Sequence, residues 1–144
     1  MSKNILVPID ISEIELTQQV IPHVETYARQ DDAPIHFLAV IPDYTYFASY
    51  RLGYASVPPD AKEREVAAME ALSEIVAKFS LPEDRIEKYV LCGPPKDHIL
   101  QLADDIHADV IILASHRPSI STYLLGSNAA VVVRHAKCSV LVVR

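Results

Sequence analysis

Three short apolar runs constrain the fold of this chain more than any other feature of its sequence. They consist almost entirely of Ile, Val, Leu and Ala, and they cover Asn4–Pro8, Ile35–Ile41 and Val110–Ala114. Strands buried on both faces of a parallel sheet show such runs, whereas half-exposed strands alternate apolar and polar residues. The sequence therefore predicts a sheet that is covered by helices on both sides.

Segments with helical periodicity separate these runs. Ser12 and Glu15 fit a capping box at the start of a first helix. Pro22 follows within this helix, and we expect it to kink the helix or to shift its boundary. The other three helices are predicted at about 69–79, from an opening at Gly93-Pro94-Pro95, and at about 126–135.

The alternation of strands and helices is typical of a doubly wound α/β fold. Two further strands, Ile86–Leu91 and Ser139–Val143, bring the predicted parallel sheet to five strands. Right-handed crossovers then place helices on both of its faces. The chain has 144 residues, of which 50% are hydrophobic, and this predicts one domain over residues 1–144 with its own core.

Composition argues against several classes of function. The formal net charge is −6 and no basic run occurs, which disfavours binding to DNA or RNA. No apolar run approaches the roughly 20 residues of a membrane-spanning helix, and the first residues do not have the pattern of a signal peptide. We therefore expect a cytoplasmic protein, with Cys92 and Cys138 as reduced, partly buried thiols.

Ligands of doubly wound sheets bind at the carboxyl ends of the strands, where the strand order reverses. In this chain those ends are Pro8–Asp10, Val40–Pro42 and Ala114–Arg117. The carboxylate of Asp10 could accept a hydrogen bond from a ribose hydroxyl or face a phosphate-bound Mg²⁺. Equally, it could simply cap the helix that follows.

The sequence Gly126-Ser127 stands at the start of the fourth predicted helix. Free N–H groups and the helix dipole favour a phosphate there, and glycine lets the backbone come close to it. His116 and Arg117, at the end of a strand, could add donors or positive charge. An ordinary helix start also explains the Gly-Ser pair, and the P-loop and dinucleotide-binding patterns are absent.

Four blocks of the sequence resemble the universal stress protein family. They are ILVPIDIS at the start, GPPKDHIL at the third helix, ADVIILASHR after it, and LLGSNAAVVVRHAKCSVLVV at the end. The blocks cover nearly the whole chain in the family's order, and the SHRP segment is similar to the short, single-domain enterobacterial type. The resemblance implies a strand order of 3-2-1-4-5, a homodimer formed through the last strand (139–143) and, in one branch, ATP binding.

The ATP-binding branch of the family carries the motif G-x2-G-x9-G-[ST], whose last two positions match Gly126-Ser127. Strict counting places the two earlier glycines at Leu113 and His116, and a one-residue deletion places them at Ala114 and Arg117. Neither alignment finds a glycine there. The resemblance implies adenine and ribose contacts from Pro8, Ile9, Asp10 and Val40. It implies phosphate contacts from Ala114, Ser115, His116, Arg117, Gly126, Ser127 and Asn128.

These patterns leave three hypotheses about function. The first is an ATP-binding regulatory protein of the stress response, whose contacts with unknown protein partners depend on the nucleotide, bound with or without Mg²⁺. The second is a ligand-free dimeric interaction module that uses the Tyr-rich segment 42–60. The third is a slow ATPase, for which Asp10 and His116 are the only candidates of suitable type and position.

Overall fold

Five parallel strands form one sheet in the computed structural model, which describes residues 4–30, 32–41, 61–115 and 127–144. The strand order is β3-β2-β1-β4-β5. The strands are β1 (Ile5–Ile9), β2 (Ile35–Ile41), β3 (Ile86–Cys92), β4 (Val110–Ala114) and β5 (Ser139–Val143). The order and the parallel pairing confirm the predicted doubly wound α/β fold.

Four helices accompany the sheet within the described ranges, and none of them is long and apolar enough to cross a membrane. They are α1 (Ile14–Gln30), α2 (Ala61–Val76), α3 (Pro95–Asp105) and α4 (Ser127–His135), with a short 3₁₀ turn at Glu83–Arg85. The predicted starts of α3 and α4 agree with the structure within two residues and one residue, respectively. The predicted bounds of α2 lie too late in the chain because its first turns are largely exposed and carry little apolar periodicity.

The start of α1 differs from the prediction. The backbone N–H and the hydroxyl of Ser12 both donate to Oδ1 of Asp10, at 2.9 Å and 2.5 Å. Ser12 therefore belongs to the turn before the helix, and the expected capping box with Glu15 was wrong. The helix also continues through Pro22, because buried side chains on either side, including Val20 and Val24, fix it against the sheet.

Alternate residues of the central strands face two separate cores. Val7 and Phe37 point toward α1 and α2, where Phe37 meets Phe79 edge-on at a centroid distance of 4.9 Å. Leu6 and Leu38 point to the opposite face and pack against α3 and α4. All four strand side chains are buried. The apolar strands that dominate the sequence are thus covered on both faces, as predicted.

A buried histidine on the α3 and α4 face links β2 and β3 to Asn4, the residue before β1. Nδ2 of Asn4 donates to the carbonyl of Ile106 at 2.9 Å, which leaves its Oδ1 to accept from Nε2 of His36 at 3.3 Å. Nδ1 of His36 then accepts from the hydroxyl of Tyr89 at 2.9 Å. Both ring nitrogens are thus used by a neutral imidazole with its proton on Nε2.

The buried position of His36 predicts a pH-dependent stability. Burial lowers the pKa of His36 below its usual 6.5, although the nearby Glu87 carboxylate opposes this shift. Below about pH 6.5 the His36 imidazole is protonated in the unfolded chain but stays neutral in the folded chain. The free energy of unfolding should therefore fall as the pH drops below about 6.5. Urea denaturation at pH 7.5 and 5.5 tests this, with His36→Gln as the comparison. The variant should lose less stability than the wild type over this range, and an equal loss would contradict the prediction.

Candidate functional site

A cavity of about 700 Å³ lies at the carboxyl ends of the strands. It opens beside β1 and β4, which are neighbours in the sheet although the helices after them, α1 and α4, pack on opposite faces. Two loops that leave a sheet in opposite directions create a crevice between them. The volume is within the range of small-molecule sites in proteins.

Most of the predicted site residues meet at this cavity. Those that line it are Pro8, Ile9, Asp10, Val40, Ala114, Ser115 and Asn128. Ser127 is the first residue of α4, so the start of this helix is next to the cavity. The predictions for Pro42, His116, Arg117, Gly126 and the Tyr-rich segment 42–60 lie outside the described residues.

Asp10 both orders a turn and faces the cavity. Its Oδ1 accepts the two hydrogen bonds from Ser12, and its backbone carbonyl accepts from the N–H of Glu13 at 3.1 Å. The carboxylate is nevertheless exposed at the cavity wall. A carboxylate has about four acceptor positions, so the bonds to Ser12 leave capacity for a hydroxyl group of a ligand. Asp10 therefore orders the turn before α1 rather than capping the helix itself, and its carboxylate keeps acceptor positions toward the cavity.

The end of β4 forms the opposite wall with small side chains. Ser115 is buried, and its N–H donates to the carbonyl of Val143 at 2.9 Å, which ties this wall to β5. Ala114 is half-buried and lies directly before it. Asn128, in the first turn of α4, faces the same space and is exposed. Small residues next to a helix start leave room for a ligand to approach backbone N–H groups.

The helical walls of the cavity were not predicted from the sequence. These walls are formed by Leu16, Thr17 and Val20 of α1, Arg64, Ala67 and Ala68 of α2, and Pro95 and Ile99 of α3. Their spacings of three and four residues place each group on one helix face. Residues that pack in an ordinary core have the same spacing, so the sequence alone does not distinguish the two. Of the described residues that line the cavity, Asp10 and Arg64 are the charged ones.

The two cysteines lie away from this cavity. Neither Cys92 nor Cys138 forms a disulfide, and both are half-buried, as the sequence predicted. Burial raises the pKa of the Cys138 thiol, with smaller contributions in the same direction from the carboxylates of Asp109 and Asp104. A thiol whose pKa is raised carries little thiolate at neutral pH and is a poor nucleophile.

Comparison with known proteins identifies the family. The model of the universal stress protein family matches residues 1–144. The chain is 40% identical over 144 residues to universal stress protein G of Escherichia coli O157:H7, and the match covers 100% of both chains. From the SHRP segment we expected the short, single-domain enterobacterial type, similar to universal stress protein F. The match to universal stress protein G, a relative of the same length, confirms the short enterobacterial type.

Solved structures share the fold. Hypothetical protein MJ0577 is 26% identical with a TM-score of 0.74, over 99% of this chain and 96% of that one. A universal stress protein in complex with cAMP is 22% identical with a TM-score of 0.64, over 99% and 97%. The Archaeoglobus fulgidus universal stress protein in complex with dAMP is 20% identical with a TM-score of 0.59, over 99% and 98%. The fold and the full-length match together show that the chain belongs to the universal stress protein family.

Proposed function

We propose that this universal stress protein binds an adenine nucleotide, ATP, in the cavity at the carboxyl ends of its strands. The observation that carries the proposal is the convergence of seven of the eleven predicted site residues on one cavity. They come from β1, β2, β4 and α4, which are distant in the sequence. In this proposal the bound state regulates the contacts of the protein with partners of the stress response.

The cavity walls suit the parts of a nucleotide. Val40 and Ile9 offer apolar surface for a base, and Asp10 can accept a hydrogen bond from a ribose hydroxyl. The start of α4, with Asn128 at the cavity, offers backbone N–H groups and the positive end of the helix dipole to phosphates. Two members of the same fold form complexes with cAMP and dAMP, and adenine is common to both ligands.

Magnesium fits the same arrangement. Mg²⁺ is usually held by one or two carboxylates together with the phosphates of the nucleotide. Asp10 is the carboxylate among the described lining residues, and it is exposed toward the cavity. A bound Mg²⁺ would neutralise phosphate charge there. Asp10 would hold the ion, and Ser12 would keep the carboxylate in position through its two hydrogen bonds.

ATP should stabilise the folded protein. A ligand present at 100 times its Kd adds about 2.7 kcal/mol, which corresponds to a rise in Tm of about 5–11 °C for a chain of this size. Differential scanning calorimetry with and without ATP and Mg²⁺ measures this rise. A folded sample whose Tm does not change at millimolar ATP would contradict the proposal.

We also propose that β5 is the interface of a homodimer. In the described sheet β5 pairs with β4 on one side and is an edge on the other, and edge strands readily pair with a second chain. Val142 is half-buried on this strand, whereas Val66 is 53% exposed on α2, which packs over β2 and β3. These two valines provide a matched pair for substitution.

Sedimentation analysis tests the dimer. The wild type should sediment as a dimer at micromolar concentration, because two β5 strands would cover each other's edge. Val142→Lys should shift the population toward the monomer, since a charged side chain opposes burial at an interface. Val66→Lys should leave the dimer intact. A wild-type monomer would show that β5 is not a stable interface.

A further inference from the structure

Arg64 gives the cavity a positive charge that neither the sequence motifs nor the family resemblance assigns. We propose that Arg64 makes the cavity selective for charged, phosphorylated nucleotides over neutral nucleosides. This inference rests on the proposed nucleotide binding and adds a residue of α2 to it. It concerns specificity, and it assigns Arg64 no part in a chemical step.

The position of Arg64 on α2 directs it to the ligand space. Arg64, Ala67 and Ala68 are spaced by three and four residues, and all three line the cavity. They therefore share one helix face, and the two alanines keep the space beside the arginine open. Arg64 lies in the first turn of α2, where the helix dipole adds positive potential.

The charge balance of the cavity depends on this residue. The carboxylate of Asp10 faces the same space and would by itself repel phosphate groups. Arg64 lines the same cavity and supplies a charge of the opposite sign. Arg64 is half-buried, so its field is screened less by water than that of an exposed side chain.

The guanidinium of Arg64 can contact a phosphate group while it also keeps contacts within the protein. It carries five N–H donors and stays protonated at every physiological pH, so it can contact the protein and a ligand together. Its planar geometry also matches the oxygens of a phosphate. A lysine can supply the charge at this position but not the paired hydrogen bonds.

Titration calorimetry with ATP, AMP and adenosine tests the proposal on four forms of the protein. These are the wild type, Arg64→Gln, Arg64→Lys and Lys62→Gln. Lys62 is exposed on the same helix and does not line the cavity, so Lys62→Gln matches the charge change without touching the site. The ligand-free Tm of each variant shows whether it is folded.

Arg64→Gln should weaken ATP binding about 10- to 100-fold, the range of one lost hydrogen bond to a charged group. The same substitution should weaken AMP binding less than ATP binding, and it should weaken adenosine binding less than about twofold. Arg64→Lys should lose less affinity than Arg64→Gln, because lysine keeps the charge but not the paired hydrogen bonds. Lys62→Gln should change the affinity less than about threefold. Higher salt should weaken ATP binding to the wild type more than to Arg64→Gln.

Two results would overturn the role of Arg64 while leaving nucleotide binding in place. The first is that the wild type and Arg64→Gln bind ATP with equal affinity. The other is an equal loss for ATP and adenosine, which would indicate a packing role. If the wild type binds none of the three ligands, the proposed function is itself wrong and this inference is wrong with it.

Discussion

Replacing Gly126 with valine is expected to abolish the stabilisation of the protein by ATP. Gly126 directly precedes Ser127, the first residue of α4, and Asn128 in the same turn lines the cavity. A phosphate at a helix start needs close approach to backbone N–H groups, and a branched side chain blocks that approach. The rise in Tm of about 5–11 °C expected for the wild type at 100 times its Kd should disappear.

The matched control for Gly126→Val is Ala130→Val. Ala130 is exposed on the same helix and does not line the cavity, so the substitution adds a valine to α4 without reaching the ligand. Calorimetric scans of both variants, with and without ATP, separate the two effects. Ala130→Val should keep the ligand-induced rise. A Gly126→Val protein with the full rise would show that the phosphates are not held at the start of α4.

Replacing Gly93 with valine is expected to cost about 2–4 kcal/mol of folding free energy. Gly93 has a φ of +131°, a conformation that side-chain-bearing residues rarely adopt. An added Cβ would also lie 2.9 Å from Nε2 of His98, which donates to the carbonyl of Cys92 at 2.8 Å. The ring would have to move and give up this hydrogen bond. The turn from β3 into α3 therefore requires glycine.

Urea denaturation of four proteins separates the two causes of this cost. His98→Ala alone removes the hydrogen bond and should cost about 0.5–1.5 kcal/mol. Gly93→Val in the His98→Ala background avoids the clash but keeps the backbone strain, so the two substitutions should cost less together than the sum of their separate effects. A fully additive result would mean that the contact between Gly93 and His98 does not matter. A Gly93→Val protein as stable as the wild type would contradict the account of the turn.

The sequence predicts the sheet well because its central strands are apolar on both sides. The predicted bounds of β2, β4 and β5 coincide with the structure, and those of β1 and β3 differ by one residue. Helix starts were predicted well where proline or glycine marks them, as at Pro95. The helix start predicted at Ser12 was wrong, because the hydroxyl of Ser12 donates to the carboxylate of Asp10 instead of forming the capping box with Glu15.

The sequence predicts one half of the cavity better than the other. Residues at strand ends could be located because parallel strands end at the same edge of the sheet. The cavity-lining residues of α1 and α2 could not be located in this way. Side chains on a helix face recur every three or four residues whether that face lines a cavity or packs in the core. Arg64 shows this limit most clearly. Only the structure shows that Arg64, in the first turn of α2, lines the cavity.

Mass spectrometry of the small molecules released by denaturing freshly purified protein tests the central claim most directly. The account predicts that the wild type releases an adenine nucleotide, with ATP as the main species. Gly126→Val, purified in parallel, should release much less. If the wild type releases no more adenine nucleotide than this variant does, the claim that the cavity at the strand ends binds ATP is contradicted.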